Sequence, residues 1–260
     1  MLLLFPRVCY LTRWAYLDDP PTAVGKLPQV LTRVPEWSPR PVVVEGILER
    51  AFKYRVVLVR GTPACGKTIL MYLIRRHILE KYPALRVTTF YGWPAGMRGG
   101  DSRKHLESKT RTPLARILCA QDMVVFIDDA QSSYYDGSLW HFLKCLGPDR
   151  GAYFILFSSY GSPGPSLVEV EVGTPPVFGP GQMISLRWGK GSLTERSIGI
   201  LLRKDEAEDV VTRYCINSPN PLRFSRDLQD HLITLSKGHA GALNGLIETV
   251  ANNNASIPFP

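Results

Sequence analysis

Short apolar runs alternate with longer amphipathic stretches through the middle of this chain. Runs rich in β-branched and aromatic residues predict strands at 56–60, 86–91, 123–127, 152–158 and 183–187. Apolar residues at helical spacing predict helices at 43–53, 67–81, 112–119 and 138–145. Because strands that alternate with helices form parallel sheets covered on both faces, the pattern predicts a three-layer α/β fold with a mostly parallel sheet.

The pattern changes at both ends. Residues 1–42 contain seven prolines and are predicted to be irregular. From about residue 192 the spacing is helical, with Asp205 and Ser225 as expected N-caps and Gly238 as a helix stop. The candidate helices are 205–215, 225–236 and 239–252. We therefore predict a Pro-rich segment (1–42), a core (43–190) and a small, lid-like helical region (191–260).

A complete phosphate-loop pattern, Gly-x-x-x-x-Gly-Lys-Thr, stands between the first predicted strand and the helix that follows it. Its residues are Gly61, Thr62, Pro63, Ala64, Cys65, Gly66, Lys67 and Thr68. Both glycines are expected to allow unusual backbone angles, so that consecutive N–H groups surround an anion at a helix N-terminus. In this pattern the lysine lies near the outer phosphates and the threonine hydroxyl coordinates Mg²⁺. The loop therefore predicts binding of a nucleoside triphosphate.

Polar residues end two further predicted strands. Asp128 and Asp129 follow the apolar run 124–127, and Ser158 and Ser159 follow the run at 152–157. Because ligands of open α/β sheets bind at the carboxyl ends of the strands, we expect these side chains beside the phosphate loop. Asp128 is the expected partner of Mg²⁺, and Asp129 is the candidate catalytic base that orients water. A serine hydroxyl here is a candidate contact to the γ-phosphate.

Composition limits the other possibilities. At 260 residues, with 45% hydrophobic and 21% charged residues, the chain is expected to be globular. Its five widely spaced cysteines argue against a disulfide scaffold and a zinc site and favour a reducing, cytoplasmic setting, and its histidines show no metal-ligand spacing. Cys65 is interpreted as a small residue that fills a loop position. No apolar run is long enough to span a membrane, and the N-terminus is a poor secretory signal.

Basic residues outnumber acidic ones, and the net charge is +8. This balance allows contact with nucleic acid without requiring it. The densest basic stretch, 98–116, is interpreted as a solvated, mobile loop in preference to an arginine finger or a nucleic-acid contact.

Several short blocks of sequence follow one another in a recognisable order. The blocks are 59–68, 126–134, 139–140, 155–163, 173–175, 182–186 and 235–242. Together they resemble the P-loop NTPase module of Crinkler-type effector proteins and, more distantly, signalling NTPases of the STAND/AAA+ kind. The resemblance implies ATP or GTP as substrate, Mg²⁺ as cofactor and a helical lid that approaches the nucleotide at Gly238–Gly241, with Ala240 where proline is expected. It also allows secretion and entry into a host nucleus, although no signal or translocation header is seen.

Four functions are compatible with these features. Mg²⁺-dependent hydrolysis of ATP or GTP is favoured, with Lys67 and Thr68 on the phosphates and metal, Asp128 on the metal and Asp129 on the water. The first alternative is a nucleotide-dependent switch with little turnover, whose C-terminal helices contact a protein partner. A nucleic-acid-associated ATPase and a small-molecule phosphotransferase are the others. The sequence does not indicate an oligomeric state.

Overall fold

A parallel sheet lies at the centre of the computed structural model, which describes residues 37–97, 100–159, 178–187, 197–218 and 223–254. Its five strands stand in the order β2-β3-β4-β1-β5, and each pairing in this sheet is parallel. The carboxyl ends of the strands therefore meet at one edge. The strands are β1 (Val56–Gly61), β2 (Arg86–Tyr91), β3 (Met123–Asp128), β4 (Tyr153–Ser159) and β5 (Met183–Ile184).

Helices cover both faces of the sheet because successive strand residues point to opposite sides. Val57 and Val59 belong to the hydrophobic cluster that holds α1 (Pro41–Tyr54) and α2 (Lys67–Lys81). Val56 and Leu58 belong to the cluster on the other face. The helices of that face are α3 (Gly100–Thr110), α4 (Leu114–Ile117) and α5 (Gly137–Lys144). The predicted three-layer α/β architecture is confirmed.

The helical region after the sheet has a hydrophobic cluster of its own. It contains α6 (Lys204–Asn217), α7 (Arg226–Ser236) and α8 (Ala240–Asn254). The cluster also includes Phe224, which stands two residues before α7. The buried side chains of the cluster are Ala207, Val211, Phe224, Leu232, Leu243 and Ile247. The helical character predicted for this region is therefore confirmed for its described residues.

Several predicted boundaries need correction. Asp205 is not the N-cap of α6, since the cap is Arg203, whose backbone N–H donates to the Glu206 carboxylate (2.9 Å). The prediction for Ser225 is confirmed, because its hydroxyl accepts from the N–H of Leu228. Gly238 follows the end of α7 with a φ of 78°. The predicted strand 183–187 is only two residues long.

The basic stretch 98–116 is wrongly predicted as a loop, since most of its described part is helical. Ser102, Leu106 and Thr110 are buried one turn apart along α3. Its polar face carries ion pairs along the helix between Arg103 and Glu107 and between Lys104 and Asp101. The sequence pattern did not reveal this helix because only one of its three buried positions is an aliphatic residue.

Other predictions lie outside the described residues. These concern the Pro-rich stretch up to residue 36, the sequence blocks 160–163 and 173–175, and the start of the helical pattern at 192–196. None of the described helices is long and apolar enough to cross a membrane.

Thr89 on β2 offers a test of the packing of the sheet. Its side chain is 1% exposed, and Oγ1 has no hydrogen-bond partner among the described residues. Because a buried, unsatisfied hydroxyl is unfavourable, we expect Thr89→Val to raise the free energy of unfolding by about 1 kcal/mol. Urea denaturation measures this, with the more exposed Thr88→Val as the control. A lower stability of Thr89→Val than of the wild type would contradict the expectation.

Candidate functional site

The carboxyl ends of β1, β3 and β4 bring the predicted site residues to one edge of the sheet. Gly61 at the end of β1 pairs in register with Ser159 at the end of β4. β4 lies between β1 and β3, and β3 ends at Asp128. The loop and both polar strand ends are therefore neighbours, as the fold class predicts.

The two glycines of the phosphate loop have different roles. Gly66 has a φ of 95° and directly precedes α2, so it supplies the left-handed conformation that was expected. Gly61 does not have a positive φ, and the expectation of an unusual backbone angle is wrong for this residue. A side chain there would instead meet Cys65 Sγ at 2.5 Å and also crowd Ile200 and Leu186. The lack of a side chain at Gly61 therefore allows Cys65, Ile200 and Leu186 to pack closely against the loop.

Lys67 lies within the concave side of the loop. Its Nζ donates to the carbonyl oxygens of Thr62 (2.8 Å) and Gly61 (3.4 Å), and the residue is only 7% exposed. The buried Cys65 thiol is 3.9 Å from Nζ. Burial raises the pKa of Cys65, and the Lys67 charge opposes this rise. The position of Cys65 fits the interpretation of a small residue that fills the loop.

Thr68 and Asp128 meet across the start of α2 and the end of β3. The Thr68 hydroxyl donates to Asp128 Oδ2 at 2.8 Å. Asp128 is 8% exposed, and burial raises the pKa of its carboxyl group. The Thr68 hydrogen bond opposes this rise, and the charge of Asp129 adds to it. A hydroxyl and a carboxylate are thus held together at this edge of the sheet.

Asp129 stands directly beyond the strand in a left-handed conformation (φ 49°, ψ 41°). Its backbone N–H donates to Asp128 Oδ1 at 3.1 Å, and its side chain accepts from Gln131 Nε2 at 3.0 Å. The residue is exposed at the edge of the sheet. Its carboxylate is therefore accessible to solvent, unlike that of Asp128.

The two serines of β4 have different surroundings. Ser158 is fully buried, and its hydroxyl is 2.7 Å from the hydroxyl of Tyr134. Ser159 is half-buried at the strand tip, and its backbone N–H donates to Gln131 Oε1 (2.9 Å). Of the two, Ser159 lies nearer to solvent at this edge. A role for either hydroxyl at a phosphate stays a prediction.

The start of α8 contacts the phosphate loop directly. The Gly241 N–H donates to the carbonyl oxygen of Ala64 (2.9 Å), and His239 Nε2 is 3.0 Å from Thr62 Oγ1. His239 Nδ1 accepts from the N–H of Ala242 (3.2 Å), so the neutral ring carries its proton on Nε2. A side chain at position 241 would collide with Ala64. The segment that the resemblance predicts to approach the nucleotide thus contacts the phosphate loop.

A cavity of about 110 Å³ opens beside the loop, between α2, α6 and α8. Cys65 and Gly66 form part of its wall. Further wall residues are Trp37, Ser38, Leu73, Val210, Asn244 and Glu248. The cavity therefore combines apolar surface with a few polar groups.

Two features near the site could not be recognised from the sequence. Gln131 contacts both Asp129 and the tip of β4, and Ser132 donates its hydroxyl to the carbonyl oxygen of Asp129 (2.7 Å). The only signal was a pair of polar residues after the two aspartates.

No group of three or more His, Cys, Asp or Glu side chains that could hold a metal ion occurs in the described part of the chain.

Comparisons with known proteins give similarity of fold alone. No family model matches the sequence, and no curated protein matches it. A Walker-type ATPase of Pyrococcus abyssi matches with a TM-score of 0.48 and 13% identity, over 82% of this chain and 68% of that one. Domain III of the replication initiation protein DnaA of Thermotoga maritima matches with a TM-score of 0.46 and 13% identity, over 86% of this chain and 90% of that one. The fold is α/β, with a parallel sheet and flanking helices around a phosphate loop.

Proposed function

We propose that this protein binds a nucleoside triphosphate, ATP or GTP, with Mg²⁺ and hydrolyses it to the diphosphate and phosphate. The observation that carries the proposal is the 2.8 Å contact between Thr68 of the phosphate loop and Asp128 of the neighbouring strand end. It joins a phosphate-binding element to an acidic one at the edge of the sheet. Neither element alone supports hydrolysis.

The pair of Thr68 and Asp128 fits a magnesium ion. Mg²⁺ prefers oxygen ligands and is usually held by one or two carboxylates, water and substrate phosphates. The pair supplies a carboxylate and a hydroxyl and leaves the other positions to the substrate and water. When bound, the ion would neutralise charge on the phosphates. The burial that raises the pKa of Asp128 also favours a cation beside it, because a buried carboxylate needs a partner charge.

The remaining residues divide the chemistry between them. The N–H groups of the loop at the start of α2 bind phosphate oxygens, and Lys67 turns from its two carbonyl partners toward the outer phosphates. Asp129, exposed beside the site, orients the attacking water and accepts its proton. We place the base of the nucleotide in the cavity between α2, α6 and α8, because Gly66 of the loop forms part of its wall.

Replacement of Lys67 by Ala tests this function. Loss of one charge-assisted hydrogen bond, of about 1.5–3 kcal/mol, should weaken nucleotide binding by roughly 10- to 150-fold. Release of phosphate should fall to background. The measurements are titration with fluorescent ATP and GTP analogues and phosphate release with either nucleotide, each with and without Mg²⁺.

Lys81→Ala is the matched control for Lys67→Ala. Lys81 ends the same helix but is 57% exposed, and its ammonium group pairs with Glu45 (3.3 Å). We expect wild-type binding and turnover from this variant. Equal nucleotide binding by Lys67→Ala and the wild type would contradict the proposal.

The contact between α8 and the loop supports a second candidate, a nucleotide-dependent switch. Phosphates that enter the loop would act on Thr62 and Ala64, which His239 and Gly241 contact. The helical region would then move with the state of the nucleotide and present a changed surface to a protein partner. Nucleotide that stays bound through purification, with negligible turnover, would favour the switch over the hydrolase.

Membership of the Crinkler-type module is part of the same proposal. The support is the order of the sequence blocks that end at Gly238–Gly241, and the seat of this segment on the phosphate loop fits the lid that the resemblance implies. Its test is the lid itself. Gly241→Val, which places bulk against Ala64, should weaken ATP binding if the lid closes on bound nucleotide.

A further inference from the structure

One glutamine joins the acidic end of β3 to the tip of β4. Gln131 lies in the 3-10 turn Ala130–Ser133 that follows the two aspartates. Its Nε2 donates to Asp129 Oδ1 (3.0 Å), and its Oε1 accepts from the backbone N–H of Ser159 (2.9 Å). A carboxylate only accepts hydrogen bonds and a backbone N–H only donates them, so the orientation of the amide is determined by its two partners.

The backbone of Asp129 is already held in place without this glutamine. Its N–H donates to Asp128 Oδ1, and its carbonyl oxygen accepts from both the N–H (2.9 Å) and the hydroxyl (2.7 Å) of Ser132. These contacts stabilise the left-handed conformation, which non-glycine residues rarely adopt. They leave the carboxylate free to rotate. Gln131 supplies the contact that restricts the carboxylate itself.

The other end of Gln131 connects the carboxylate to the phosphate loop. Ser159 pairs in register with Gly61, the first residue of the loop. Gln131 therefore sets the position of the Asp129 carboxylate relative to the strand from which the loop departs. Its half-buried amide acts as a spacer between the two strand ends.

We propose that Gln131 is a positioning residue, which holds Asp129 where it can orient the attacking water. This inference rests on the proposed hydrolysis and adds a residue to that site. Misplacement of a catalytic group by about 1 Å can lower a rate by roughly 100-fold, so the contact is expected to act on the chemical step and not on binding.

Two variants separate the ends of the amide. Gln131→Glu has nearly the same shape, keeps an oxygen for the N–H of Ser159, and places a negative charge against Asp129. Gln131→Met removes both contacts. Because the rate depends on the position of the Asp129 carboxylate, we expect Gln131→Glu to lower kcat by roughly 10- to 100-fold. Gln131→Met should lower kcat by a similar or smaller factor. The KM for ATP and the Kd of a non-hydrolysable analogue should stay within about twofold of wild type.

Gln121→Glu is the matched control. Gln121 is exposed before β3, at the opposite edge of the sheet, and donates to the carbonyl oxygen of Asp149. The Gln121→Glu variant gains the same negative charge as Gln131→Glu, but its kcat should equal that of wild type. The double variant Asp129→Asn with Gln131→Glu should be no slower than Asp129→Asn alone, because residues that act as a unit are not additive.

The outcomes distinguish this inference from the proposed function. If Asp129→Asn is inactive while both Gln131 variants keep wild-type kcat, the positioning role is overturned and the hydrolase stands. If Gln131→Glu lowers kcat and raises KM by the same factor, the residue serves binding, and the inference is again overturned. A wild type without turnover above Lys67→Ala overturns the function and the inference together. Thermal unfolding and analogue binding show that each variant is folded.

Discussion

Replacing Asp129 by Asn is expected to lower phosphate release by about 100- to 10,000-fold, which is the usual contribution of a general acid or base. Asn keeps the shape and the oxygen that accepts from Gln131, but it cannot take a proton from water. Asn also tolerates the left-handed backbone of this position as well as Asp does, so the turn should survive. The effect should therefore appear in kcat and leave binding of ATP almost unchanged.

Single-turnover phosphate release measures the chemical step of Asp129→Asn, and titration with a non-hydrolysable analogue measures its affinity for nucleotide. Asp149→Asn is the control, because Asp149 is exposed before β4, at the edge of the sheet away from the site. Turnover by Asp129→Asn at the wild-type rate would exclude Asp129 as the base. It would leave the proposed roles of Lys67, Thr68 and Asp128 untested by this variant.

Removal of Arg40 is expected to cost about 3–5 kcal/mol in the free energy of unfolding, as when one partner of a buried ion pair is deleted. Arg40 is 5% exposed, and its guanidinium contacts Glu206 Oε2 (3.1 Å). It also donates to the carbonyl oxygens of Gly199, Ile200 and Leu201. Arg40→Met would remove the cationic partner of the Glu206 carboxylate, which would keep the N–H of Arg203, and would take one donor from each of these carbonyl groups.

Arg76→Met provides the comparison for Arg40→Met. Arg76 makes an ion pair of 2.7 Å with Glu80, but both side chains are about half exposed. An exposed pair of this kind contributes about 0.3–0.5 kcal/mol. Denaturation in urea measures both variants under the same conditions. Equal losses of stability would show that burial does not determine the importance of the Arg40 pair.

The sequence predicted the elements whose signals are local. Val56–Gly61 and Met123–Asp128 are apolar runs in buried strands, and both were placed within a residue of their observed bounds. The neighbourhood of Thr68 and Asp128 followed from the rule that parallel strands end at one edge. Helix α3 was missed because its pattern of Ser102, Leu106 and Thr110 is mostly polar.

The remainder depends on contacts between residues that are distant in sequence. Nothing near Arg40 indicates that it meets Glu206, and nothing near Thr62 indicates His239. Gln131 is close in sequence to Asp129, but its second partner, Ser159, lies on another strand. The first two pairs depend on how the helical region packs against the rest of the chain, and the third depends on which strand lies beside β3. Periodicity along the chain contains neither kind of information.

The order of the strands also determines when the site can exist during synthesis. The strand before the phosphate loop, β1, lies between β4 and β5, although β2 and β3 are made before either of them. Until Tyr153–Ser159 has left the ribosome, β1 lacks its partner β4, and its apolar residues need other protection. Pairing over such long sequence separations is slow. We therefore expect the proposed nucleotide site to form only after β4 has emerged.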